Sequence, residues 1–151
     1  MNILFLDDDH RRHAWAKSKY PHDNIVHVFT VDEFKREMSS ELWGIVHFDF
    51  DLFLDRNTPS GAQAHIGGYH SETHSGHLAA VAFAEMMHDK PHDDRPKIYI
   101  HSHNHGGALS MLFLFLTFGY QAIWHPYGAQ WLYDQNARQI ALAQWQGWKI
   151  R

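Results

Sequence analysis

Five short β-forming runs alternate with stretches of helical period, and four of the five break off in a carboxylate or an imidazole. "NILFLDDD" is an apolar strand ending in acid, and "HRRHAWAKSKY" behind it suits a helix closed by Pro21. "NIVHVFT" reads as a second strand, with Thr30 placed to N-cap "VDEFKREMSS" and Glu33 placed for a capping box. "WGIVHFDFDL" is a third strand, "GHLAAVAFAEMMHD" a helix, and "PKIYIHS" a fourth strand. "GGALSMLFLFLTFGY" is a helix with Gly119 as its C-cap, and "QAIWHP" a fifth strand. Such alternation implies right-handed βαβ crossovers and a mostly parallel sheet. In sheets of this kind ligands bind beyond the carboxyl ends of the strands. That is where Asp7, Asp8, Asp49, Asp51, His101, Ser102, His103, His105 and His125 fall.

The totals narrow the function classes. At 151 residues, with no linker, repeat or low-complexity tract, the chain reads as one domain over 1–151. Its core spans 2–128, and the extension 129–151 is either a hairpin or a last helix. There is no cysteine, which excludes thiolate metal sites and cysteine nucleophiles and fits a cytoplasmic setting. The start turns acidic after six residues, unlike a signal peptide. The apolar run 109–118 is about half the length a membrane span needs, so it reads as a buried helix. Its lack of a polar stripe implies cover on more than one side, and homodimerisation is one way to supply it. A formal charge of −4 argues against an extended nucleic-acid surface.

Histidine is the unusual total: 15, against 13 lysines and arginines. Imidazole titrates near neutrality and ligates transition metals. Aspartates crowded at one sheet edge repel one another unless a cation sits among them, and hard oxygen ligands suit a divalent ion. Asp7, Asp8 and Asp49 are therefore candidate metal ligands, although Asp8 or Asp9 could equally N-cap the first helix. By strand parity His47 shares a face with Asp49 and Asp51, and His101 with His103. His47 and His101 are thus candidate ligands as well, or else buried and hydrogen-bonded structural groups. Mixed imidazole and carboxylate donors leave Mg²⁺, Mn²⁺ and Zn²⁺ all open. The polar stretch 55–75 reads as either a functional lid or a solvated excursion, and His65, His70, His74 and His77 within 65–77 match no metal motif.

Together these residues resemble receiver domains, and most closely the cyclic-phosphate-processing receiver-like family. "FLDDD", "DFDL" and "IHSHNHGGALSM" echo that family's motifs over about residues 2–128. The resemblance implies a three-layer α/β/α, flavodoxin/receiver-like fold, its five-stranded parallel sheet ordered 2-1-3-4-5, with a C-terminal extension. Asp49 stands at the phosphoaccepting aspartate and Ser102 at the hydroxyl after strand four. His125 stands where receivers carry lysine, and a neutral imidazole cannot neutralise a phosphoryl group, which speaks against phosphorelay.

The expected function is a metal-dependent phosphoesterase acting on a phosphodiester or cyclic phosphate, either a small molecule or an RNA end. His103 and His125 are the candidate proton carriers, joined by Ser102 and Asp51. Asn104, Gly106 and Gly107, at the start of a helix, are the candidate phosphate cradle. The alternative is a non-catalytic receiver-like binding module.

Overall fold

The computed structural model describes residues 1–52, 75–102 and 104–125. Within them lie β1 (Asn2–Leu6), α1 (His10–Lys19), β2 (Asn24–Val28), α2 (Val31–Glu37), β3 (Ile45–Phe48), α3 (Gly76–Met86), β4 (Lys97–Ile100), α4 (His105–Thr117) and β5 (Ala122–Trp124). The five strands are all parallel, in the order β2-β1-β3-β4-β5. This is the flavodoxin/receiver-like sheet that the alternation of elements and the motif resemblance lead one to expect. The extension 129–151 and most of the stretch 55–75 lie outside the described residues.

Local chemistry explains the boundaries. Asp9 caps α1, its side chain accepting from the Arg11 N–H at 2.9 Å. Thr30 caps α2 by accepting from the Glu33 N–H at 3.1 Å. Glu33 completes a variant of the capping box, because its carboxylate accepts from the Phe29 N–H, one residue earlier than the usual partner (3.0 Å). Past the end of α4, Gly119 takes φ = 84°, a left-handed conformation suited to glycine.

The two faces of the sheet are packed differently. One carries Leu4, Leu6, Val46, Phe48, Ile98 and Ile100 against α2, α3 and α4. Phe48 lies at its centre, with ring centroids 5.1 Å from Phe34, 6.3 Å from Phe83 and 5.2 Å from Phe115. Burying each such ring contributes about 1.5–3 kcal/mol. The apolar helix α4 buries Ala108, Met111, Leu112 and Phe115 in this layer. Among the described residues no helix is long and apolar enough to cross a membrane.

The other face, under α1, is built around Phe5 and is rich in imidazoles: His13, His27, His47 and His101 all have ring centroids within 6.3 Å of its ring. Their hydrogen bonds determine the tautomers. A carbonyl can only accept, so His101 Nδ1–H donates to the His125 carbonyl at 2.5 Å. Neutral His101 then accepts at Nε2 from His47 Nδ1–H (2.5 Å), and His47 Nε2 accepts from the Tyr20 hydroxyl (3.0 Å). Likewise His13 Nε2–H donates to the Asp7 carbonyl (2.7 Å), leaving His13 Nδ1 to accept from His27 Nδ1–H (2.6 Å). The His47 and His101 rings stack at 9° and 4.7 Å.

This packing yields two predictions. A Cβ added at Gly107 would run into the Phe50 ring, whereas at Gly106 it meets nothing closer than Asn104 Oδ1 at 3.8 Å. Gly107→Ala should lower unfolding stability by about 1–3 kcal/mol, and Gly106→Ala should be neutral or stabilising by up to about 1 kcal/mol, in denaturant titrations. The second concerns acid. Burial pushes His47 down from 6.5 to about 3, and burial beside His47 pushes His101 well below 6.5. A depressed histidine lends stability that is full above the unfolded value and lost as pH falls through the folded one. Unfolding free energy should therefore drop between pH 6.5 and 3, by at most about 1.4 kcal/mol per pH unit for each group, and the melting temperature with it. His47→Phe should weaken the fold at pH 8 by about 1–3 kcal/mol, through the stranded Tyr20 hydroxyl and His101 acceptor, and flatten the acid slope.

Candidate functional site

The parallel ladder continues one residue beyond the strands. Asp7 N–H donates to Val28 (3.2 Å), Asp49 N–H to Leu6 (3.0 Å), His101 N–H to Phe48 (2.8 Å) and His125 N–H to Ile100 (2.8 Å). The in-register pairs Leu6–Phe48, Phe48–Ile100 and Ile100–Trp124 thus line up the first residue after each of four strands in one rank. Asp7 and Asp49 are neighbours in that rank, and Asp8 completes a group whose ligand oxygens all lie within 4.8 Å of one another. Asp9 does the capping of α1 and pairs with Arg11 at 2.9 Å, so Asp8 is not needed as the cap.

The triad is a charge problem. Asp7 is fully buried and Asp49 nearly so, and Asp8 is only 8% exposed. Burial raises the Asp7 carboxyl to about 7, against the lowering effect of Arg12. Burial and then the Asp7 charge push Asp49 well above 3.8. Two contacts moderate this. Asp7 Oδ1 accepts from the Asp9 N–H at 2.9 Å, and Arg12 Nη1 lies 3.4 Å from both Asp7 Oδ2 and Asp49 Oδ2. Buried acids pushed up in this way retain protons unless more positive charge arrives.

Beside the triad, the β4–α4 junction is prearranged by Asn104. Its side chain caps α4, accepting from the Gly107 N–H (3.0 Å), and its Nδ2 donates to Asp51 Oδ1 (3.3 Å). Its own N–H donates to the hydroxyl of buried Ser102 at 3.0 Å. Trp124 Nε1–H donates to the Ser102 carbonyl (2.8 Å), tying the junction to β5. The N-terminus and positive dipole end of α4 thus lie at the carboxyl edge, next to a hydroxyl.

Of the residues singled out in the sequence, Asp7, Asp8 and Asp49 converge, and Ser102, Asn104 and Asp51 form a second, connected group. His47 and His101 lie outside the triad, and of their two readings the hydrogen bonds they make fit the buried structural one. The lone pair that neutral His47 would offer is taken by Tyr20, and that of His101 by His47, both in the layer under α1. Gly107 has a packing reason, its closeness to Phe50, whereas Gly106 is open. The His125 ring lies 6.0 Å from that of His101 at the same edge. His103, His65, His70 and His74 lie outside the described residues, and His77 sits on α3, its Nδ1 3.4 Å from the Ser110 hydroxyl. Arg12 was missed. Its position five residues after Asp7, in the first turn of a helix that follows an acidic run, was the available signal.

Comparisons place this geometry. No curated protein matches the chain. Among solved structures it is similar to a CheY-like response regulator receiver domain protein from Methanospirillum hungatei JF-1. That likeness has 15% identity, 97% of this chain and 96% of that chain covered, and a TM-score of 0.53. It is also similar to a response regulator protein from Burkholderia pseudomallei with a phosphorylated aspartic acid, calcium ion and citrate (12% identity, 95% of this chain and 72% of that chain covered, TM-score 0.52). These likenesses establish the fold. The model of the cyclic-phosphate processing receiver domain matches residues 2–116, from the first strand almost to the end of α4. With the acidic triad, the Ser102–Asn104 junction and the first four strands all inside that span, the chain belongs to the cyclic-phosphate processing receiver domain family.

Proposed function

We propose that this receiver domain is a divalent-cation-dependent phosphoesterase acting on a phosphodiester or cyclic phosphate, as a nucleotide or an RNA end. The observation that carries the reading is the convergence of Asp7, Asp8 and Asp49 within 4.8 Å, all three buried at the carboxyl edge of the sheet. The donor set suits a hard cation: three carboxylates favour Mg²⁺ or Mn²⁺, and with His47 and His101 committed elsewhere the case for Zn²⁺ weakens. Asp7, Asp8 and Asp49 would hold the ion, which supplies charge for a phosphoryl oxygen and a more acidic water. The protein's own groups do the rest. Ser102 and the first amides of α4, held in place by Asn104, suit the remaining phosphate oxygens. Water adds to phosphorus, one ester P–O bond breaks, the departing oxygen takes a proton from His125 or His103, and the proton given up by the attacking water restores that imidazole. Asp51 contributes by fixing Asn104.

A second reading has an observation of its own. Two of the imidazoles singled out in the sequence, His47 and His101, serve packing, and the fold is that of signalling receivers, so a non-catalytic binding module acting through a partner or a second copy is the alternative.

Two measurements test the proposal. The raised carboxyls lend stability that is present below about 3.8 and lost as pH rises through about 7, and a cation offsets that loss. Millimolar Mg²⁺ or Mn²⁺ should therefore raise the melting temperature clearly at pH 8 and little at pH 5, where protons compete. Asp49→Asn should shrink the shift, and equal shifts in variant and wild type would argue against a shared ion. In turnover assays followed by ³¹P NMR across 3′,5′-cyclic nucleotides, 2′,3′-cyclic phosphates and linear diesters, at least one class should be hydrolysed. Asp49→Asn and His125→Ala should each cost about 10²-fold or more if these groups act in the chemical step. No turnover of any class by Mg²⁺- or Mn²⁺-loaded protein would leave the binding module as the better account.

A further inference from the structure

The unabsorbed feature is Arg12. Its guanidinium reaches from the first turn of α1 into the acidic triad, with Nη1 at 3.4 Å from an oxygen of Asp7 and at the same distance from one of Asp49. An unhindered charge-assisted pair closes to about 2.7–2.9 Å. The neighbouring pair Arg11–Asp9 does so at 2.9 Å. Arg12 is therefore shared between two acids and optimal for neither. The acids are all but buried while the Arg12 side chain keeps 27% of its exposure, so the guanidinium stands at the mouth of the site rather than within it. Its backbone is held, its N–H donating to the Asp9 carbonyl at 3.1 Å, so a move of the side chain need not disturb α1.

From this geometry we infer that Arg12 is a two-position residue. It is the resident counter-charge of Asp7 and Asp49 when they hold no cation, and a phosphoryl-binding side chain once they do. The inference rests on the proposed function and deepens it. A divalent ion approaching carboxylate oxygens to about 2.0–2.6 Å takes over the charge a guanidinium supplies from 3.4 Å, and repels it. The released group stays tethered at the mouth, where an incoming phosphoryl group is the next anion, and its planar fork of donors matches two phosphate oxygens. Arg12 would thus compete with the metal and cooperate with the substrate. A purely structural ion pair predicts neither.

The test uses the full chain and two binding titrations, Mg²⁺ alone and inorganic phosphate onto Mg²⁺-loaded protein, with wild type, Arg12→Gln and Arg12→Lys. In Arg12→Gln, Mg²⁺ should bind as tightly as in wild type or tighter, and phosphate about tenfold or more weaker, as loss of a charged hydrogen-bond pair predicts. Arg12→Lys keeps a counter-charge on the acids but lacks the fork, and should still weaken phosphate several-fold, so it decides the matter if Arg12→Gln fails to fold. Phosphate affinity within twofold of wild type in the folded variants overturns the inference. A parallel loss of Mg²⁺ affinity also overturns it, because Arg12 would then only hold the carboxylates in place. A wild type that binds no Mg²⁺ fails the metal-dependent reading itself and takes this inference with it, an outcome distinct from the other two.

Discussion

The arrangement depends on a backbone constraint. Because β1 and β3 are adjacent, parallel and in register for their last residues, the ladder runs one residue further and sets Asp7 and Asp49 side by side. Nothing in either strand demands that these positions be acidic, and packing opposes it, since both side chains are buried. A fold that keeps two such carboxylates together stores electrostatic cost at one point. The surroundings are consistent with management of that cost. The Asp9 amide holds one oxygen of Asp7, Arg12 spans the pair, and Asp9 takes the capping role that would otherwise divert Asp8.

The sheet divides its labour by face. On one side, Phe48 and its aromatic neighbours make a conventional apolar layer with α2, α3 and α4. On the other, imidazoles fill space under α1 and satisfy one another. Each of the two histidine pairs ends on the carbonyl of an edge residue, His13 on Asp7 and His101 on His125. Buried polar groups are tolerated when every donor finds an acceptor, and a hydrogen-bonded chain of neutral rings achieves this without a charge. The histidine excess is therefore partly architectural. The network also braces the backbone of the rank it supports, which favours a preorganised carboxyl edge.

Much of this was legible before any coordinates. Strand and helix order, the caps at Thr30 and Gly119 and the carboxyl-edge location of the acids follow from short-range rules, because period, capping and crossover handedness act within a few residues. The histidines show where such rules run out. Parity put His47 on one face with Asp49 and His101 on one face with His103, but a shared face says nothing about whether a lone pair points at a cation or at a neighbouring ring. Tyr20 and the His125 carbonyl, which claim those nitrogens, are distant in sequence and carry no local signature.

The amino-acid order alone determined the alternating elements, hence the parallel sheet, and the kinds of groups delivered to its edge. Tertiary structure alone decided which of those groups meet. Asp7, Asp8 and Asp49 close on one another with Arg12 at the mouth, while His47 and His101 turn inward to pair. The physical reason is one of range. Secondary structure is set by dihedral and hydrogen-bond preferences of adjacent residues. The partner of a buried polar atom is set by long-range register and desolvation, which exist only once the strands have assembled.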